Sequence, residues 1–168
     1  RRSSDLGFLQ ILPMKKILYT LTAALFACAG FAGEVVFEEA FDSEDSVAKY
    51  GQWAKVEFDK GGKGEKGSLK MTLEKKAMSG ISMSFDAKKL RGSVLEMSCE
   101  IRGDNIASDG KLYSEPKFMI TAKGKSRTVY SGPVIPLGNF GWTKYKAECQ
   151  VPSDATEVML FMGFQNCS

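Results

Sequence analysis

The sequence predicts an all-β chain folded as an antiparallel β-sandwich of the jelly-roll kind, and three observations carry that reading. Apolar residues recur at every second position through most of the chain, the period of a strand with one buried face. The segments between these runs are Gly, Asp and Pro turns, not the helices of about 10–15 residues that a parallel α/β sheet requires. Only 42–50 (DSEDSVAKY) has helical character, with Ser43 or Asp45 as its cap.

Taken in order, 54–58 alternates apolar and charged residues and gives way to a Gly-rich turn at 60–64. Residues 68–74 place Leu69, Met71 and Leu73 on one face, and 81–85 (ISMSF) alternates likewise. Along 94–102, Leu95, Met97, Cys99 and Ile101 point inward and Glu96, Ser98, Glu100 and Arg102 outward. Residues 117–122 and 126–130 flank Lys123-Gly124-Lys125, a hairpin turn. Residues 142–151 set Tyr145, Ala147, Cys149 and Val151 on one side. Residues 158–164 (VMLFMGF) are apolar in both phases, so both of their faces are expected to be covered. The sum is about eight or nine short strands, enough for two sheets sharing one core.

The N-terminus reads as an address. Met14-Lys15-Lys16 opens an uncharged stretch over 17–32 that ends in small residues, the pattern of a secretory signal peptide at 14–32, helical while it lasts. The stretch is shorter than the ~20 residues of a membrane span. Residues 1–13 precede the plausible start at Met14 and are read as an upstream extension outside the fold, which leaves 33–168 as one domain. Cys28, after Leu25-Phe26-Ala27, also permits a lipoprotein signal, the one route by which the processed chain would stay on a membrane. The expected location is outside the cytoplasm of a bacterium, whether secreted, periplasmic or on the cell surface.

Composition narrows the chemistry. The chain has no histidine, which removes Ser-His-Asp and Cys-His hydrolases and His-ligated metal sites. The formal charge of +3 comes from Arg1, Arg2, Lys15 and Lys16 against Asp5, so cleavage after Ala32 leaves a neutral chain. A nucleic-acid partner then has no electrostatic support. Export permits disulfides. Cys99 and Cys149, both in the apolar phase, either bond across the core or remain two small buried thiols.

Several segments line up with one family. Gly67-Ser68-Leu69-Lys70-Met71 leads into a strand, Leu90-Arg91-Gly92 turns into another, Trp142-Thr143-Lys144-Tyr145 opens a third, and Val151-Pro152-Ser153-Asp154-Ala155 precedes the last. Together they resemble galactose-binding-like jelly-roll domains, and most of all the carbohydrate-binding modules of families 4, 9 and 22 attached to secreted glycoside hydrolases. The resemblance spans about 35–164 and implies a non-catalytic domain that binds a polysaccharide or oligosaccharide as the N-terminal module of a larger glycan-degrading enzyme. It also implies a final strand beyond Gln165-Asn166-Cys167-Ser168, so the domain is expected to be C-terminally truncated. Two other readings stand beside it. One is a fragment of a concanavalin-like glycoside hydrolase, from Phe37-Glu38-Glu39-Ala40-Phe41-Asp42; the other is a structural or adhesion module.

Saccharide binding needs flat aromatic faces for the C–H faces of the rings and polar side chains for the hydroxyls. Outward-phase or loop positions make Trp53, Tyr113, Tyr130, Phe140, Phe161 and Gln165 the candidate ligand contacts. The early acidic run of Glu38, Glu39, Asp42, Glu44 and Asp45 offers hard oxygen ligands, with Glu38 or Glu39 the candidate for one structural calcium if the domain carries a cofactor at all. A glycosidase needs two carboxylates about 5 to 9.5 Å apart. Glu96 and Glu100 stand about 13 Å apart along their strand, with Ser98 between them, so no catalytic residue is assigned.

Overall fold

The computed structural model describes residues 4–14, 34–50, 55–63, 67–73, 77–108 and 110–167. The leader at 15–32, Cys28 and Trp53 lie outside the described residues. The chain is an antiparallel β-sandwich, as its alternation predicts. Ten strands are described: β1 (Ser4–Met14), β2 (Phe37–Glu39), β3 (Val56–Asp59), β4 (Ser68–Met71), β5 (Ala77–Phe85), β6 (Val94–Ile106), β7 (Glu115–Lys123), β8 (Thr128–Ser131), β9 (Gly138–Gln150) and β10 (Glu157–Cys167). Sheet A runs β3-β4-β1-β6-β9, with β2 also on β1; sheet B runs β5-β10-β7-β8.

The core sits between the sheets. Leu95, Met97, Cys99 and Ile101 of β6 face Phe118, Ile120 and Ala122 of β7 and Val158, Leu160, Met162 and Phe164 of β10, all buried in one cluster. Each strand contributes alternate residues, so the period-two pattern and the core are the same fact seen twice. Two short helices seal the ends. Helix α1 (Glu44–Ala48) starts at Ser43, whose hydroxyl accepts from the Ser46 N–H in a capping box, and it buries Val47. Helix α2 (Ala87–Leu90) is capped by Asp86, which accepts from the Lys88 N–H at 3.0 Å, and it buries Ala87 and Leu90.

Three expectations change. Residues 1–13 are expected outside the fold, yet Ser4–Met14 is β1 and joins β4 and β2 to β6. Its run of Leu6, Phe8, Leu9, Ile11 and Leu12 is apolar in both phases, which suits a strand inside a sheet as well as a leader extension. Strand β10 is not covered on both faces: Met159 and Phe161, in its outward phase, are only half-buried. The third concerns the thiols. Cys99 stands opposite Tyr145 and Cys149 opposite Leu95, so the two cysteines are four residues out of register on neighbouring strands of the same sheet. That offset, about 13 Å, exceeds disulfide reach; both thiols are free and buried.

Burial pushes the Cys99 thiol far above its ordinary value near 9, with the Glu100 charge adding to it, and burial raises Cys149 as well. Below about pH 9 both thiols are protonated in the folded and unfolded states alike. Above it the unfolded thiols ionise while the folded ones keep their protons, so stability falls as pH rises. The unfolding free energy from urea titrations should hold steady to about pH 8.5 and then decline, by up to about 1.4 kcal/mol per pH unit per thiol. A Cys99→Ala/Cys149→Ala variant with an unchanged slope between about pH 9 and 10 would show that the thiols are not the cause.

Candidate functional site: a groove on the outer face of sheet B

The register of sheet B decides which residues share its solvent face. Glu115 stands opposite Gln165, Lys117 opposite Gly163, Met119 opposite Phe161 and Thr121 opposite Met159. On the other side of β7, Tyr130 stands opposite Thr121. Because Pro116, Phe118, Ile120 and Ala122 are buried, their neighbours Glu115, Lys117, Met119 and Thr121 must face out.

These outward residues form an open groove of about 550 Å³ lined by Tyr113, Glu115, Lys117, Met119, Tyr130 and Gln165. Both tyrosines stand proud of the surface, Tyr113 at 62% and Tyr130 at 68% exposure. Between them the floor is polar and internally neutralised. Lys117 Nζ lies 2.5 Å from Glu115 Oε1 and 5.6 Å from the Tyr113 ring centroid. The Lys117 side chain is only 12% exposed.

Local backbone features set the two rings. Tyr113 has φ +66°, a left-handed conformation that a bulky residue adopts only when its surroundings force it. They do so here: the Ser114 N–H donates to the Lys111 carbonyl and the Glu115 N–H to the Tyr113 carbonyl, both at 3.1 Å. Tyr130 is the penultimate residue of β8, two before Gly132. A Cβ at Gly132 would lie 2.5 Å from the Phe118 carbonyl oxygen, so only glycine lets the chain leave β8 pressed against β7.

Three of the sequence-derived ligand contacts, Tyr113, Tyr130 and Gln165, therefore meet in one groove. Phe161 shares the face but turns away, its ring lying over Gly80 of β5. Phe140 does not belong to the site. It is in sheet A, opposite Gly103, and its ring fills the space where a side chain at 103 would be, against the core and edge-on to Tyr145. The sequence reads Phe140 as a turn residue beside Gly141, but β9 begins at Gly138 and carries Phe140 into sheet A, with pairing irregularities on either side of Gly103. Trp142 carries the Arg102 guanidinium over its ring at 5.5 Å, part of the charged outer face of sheet A.

Glu38 and Glu39 occupy consecutive strand positions and so point to opposite faces. Glu39 receives the Lys49 ammonium and the Tyr50 hydroxyl. Among the described residues no group of three or more His, Cys, Asp or Glu side chains converges as a cation site. Glu115, Lys117 and Met119 are the groove residues that sequence reasoning missed. Their signal was present as the phase opposite Phe118 and Ile120 in 117–122. Comparison of the chain with known protein families, with characterised proteins and with solved structures returned no match.

Proposed function

We propose that the chain is a non-catalytic carbohydrate-binding domain whose sheet B groove takes a neutral saccharide chain. The observation that carries this is two solvent-facing tyrosines bracketing a floor of Glu115, Lys117 and Gln165. Tyrosine faces suit the C–H faces of sugar rings. Gln165 both donates and accepts, and the paired carboxylate and ammonium keep spare acceptor and donor capacity for hydroxyls. Tyr130 stands level with Thr121, and the Tyr113 ring lies 5.6 Å from the ammonium of Lys117, four residues away along β7 or about 13 Å by strand rise. That length favours several linked rings over a single sugar.

The groove argues for binding over hydrolysis. Its lining holds one carboxylate, Glu115, already paired to Lys117, where glycoside hydrolysis uses two flanking the bond. Sequence resemblance to carbohydrate-binding modules supports the same reading, and the apolar leader at 14–32 supports export to where polysaccharides are met. Cleavage after Ala32 would also remove β1, which belongs to sheet A; the groove lies wholly on sheet B and its loops. Affinity electrophoresis of the purified chain in gels containing neutral polysaccharides should show retardation on at least one glycan. Uniform mobility across xylan, mixed-linkage glucan, mannan and soluble cellulose gels would remove the proposal.

A further inference from the structure

We infer that strand β5 is a docking edge for a second copy of this chain, joining two sandwiches across a two-fold axis into one continuous sheet. The inference does not depend on what the groove binds. Strand β5 is the outermost strand of sheet B, and among the described residues its far side pairs with no other strand. An unpaired strand edge is a template for another strand, and proteins that must avoid this shorten the edge or place charge or proline on it. Nothing of the kind protects β5. Its nine residues, AMSGISMSF, contain neither a charge nor a proline.

The other outer strands differ. Strand β3 has four residues and carries Glu57 and Asp59. Strand β8 also has four, and its Ser131 hydroxyl donates to the Glu148 carbonyl of β9, tying the sheets together on that side. Strand β9 carries Lys144, Lys146 and Glu148. The apolar flank behind β5 is also incompletely closed: inward-facing Met83 and Phe85 remain half-buried, and Met78 at its outer end is 71% exposed.

The sequence of β5 points to a copy of itself as the occupant. Antiparallel self-pairing over the whole strand puts the axis at Ile81, since that residue is the centre of 77–85. Met78 then meets Ser84 of the second copy, Ser79 meets Met83, and Gly80 meets Ser82. Met78 and Met83 each face a serine, one on each surface, and no position sets like charges together, as a self-complementary, isologous contact allows. Contact through a single edge is small for a protein interface, so the dimer is expected to be concentration-dependent, in the micromolar range.

Sedimentation equilibrium of the full chain from roughly 1 to 200 µM should show a monomer–dimer equilibrium. Ser82→Lys, at an exposed position, should keep the circular dichroism melt of the parent and weaken the dimer at least tenfold, because the axis brings the two ammonium groups into diagonal contact. Mixing Ser82→Lys with Ser82→Glu should restore association as a heterodimer. A parent chain that stays monomeric throughout overturns the inference. So does a Ser82→Lys variant that dimerises like the parent, or a mixture of the two variants that stays apart.

Discussion

Phe118→Ala should cost about 3–5 kcal/mol, a large part of the stability of a single domain. Phe118 is fully buried at the centre of β7, level with Met162 of β10, and Met162 in turn is level with Ile81 of β5. Three of the four strands of sheet B therefore lean on one another at that level, and truncation leaves a cavity beneath all of them. Packed sheets relax poorly around such a gap, so the residual volume adds to the lost transfer energy. The melting temperature should fall by roughly 10–20 °C. Urea unfolding with an unchanged slope and a lowered midpoint would locate the change in stability and not in cooperativity. Phe118→Leu, which keeps the site apolar and most of its volume filled, should cost clearly less. A loss below about 1 kcal/mol for Phe118→Ala would mean that β7 does not present this face to the core.

The same residue shows why much of the fold was legible in the sequence. The alternation KFMITA around Phe118 names both its inward and its outward faces, and β6, with Leu95, Met97, Cys99 and Ile101, reads with equal clarity. A half-buried strand writes its burial into every second residue. What escaped lacks that pattern. Strand β1 is apolar in both phases, β2 has three residues, and α2 is a single turn whose Asp86 cap reads on paper as one more surface charge. Phe140 reads as a turn residue because Gly138 and Gly141 around it look like a break, yet β9 runs through both.

The groove was half legible for a related reason. An exposed tyrosine can be picked out one strand at a time, as Tyr130 and Tyr113 were. That Glu115 and Lys117 lie between them is a property of pairing register, which places Gln165, some fifty residues further on, beside Glu115. Local sequence carries no record of that register. It is fixed only when the inward faces of β5, β10 and β7 lock together, and a slip by one residue would exchange the two faces.

Replacing both tyrosines should abolish binding while the fold survives. An anchoring aromatic contributes about 2 kcal/mol at a recognition surface, roughly a 30-fold change in affinity. Tyr113 packs at Lys117 and Tyr130 stands beside Thr121, four residues further along β7, so their effects should come close to adding, to about 4 kcal/mol or near a thousandfold. Any glycan that retards the parent chain should leave the Tyr113→Ala/Tyr130→Ala variant at the mobility of a non-binding control. Both rings are mostly exposed, so the thermal melt should stay close to that of the parent. Tyr113 allows a sharper version of the experiment. Its backbone sits at φ +66°, which costs a bulky residue about 1–3 kcal/mol and glycine almost nothing. Tyr113→Gly should therefore hold or raise the melting temperature relative to Tyr113→Ala, while both lose the same binding contact. If Tyr113→Gly and Tyr113→Ala both bind glycan as the parent does, the ring is not part of the recognition surface, and the groove must be read from Tyr130 and Gln165 alone.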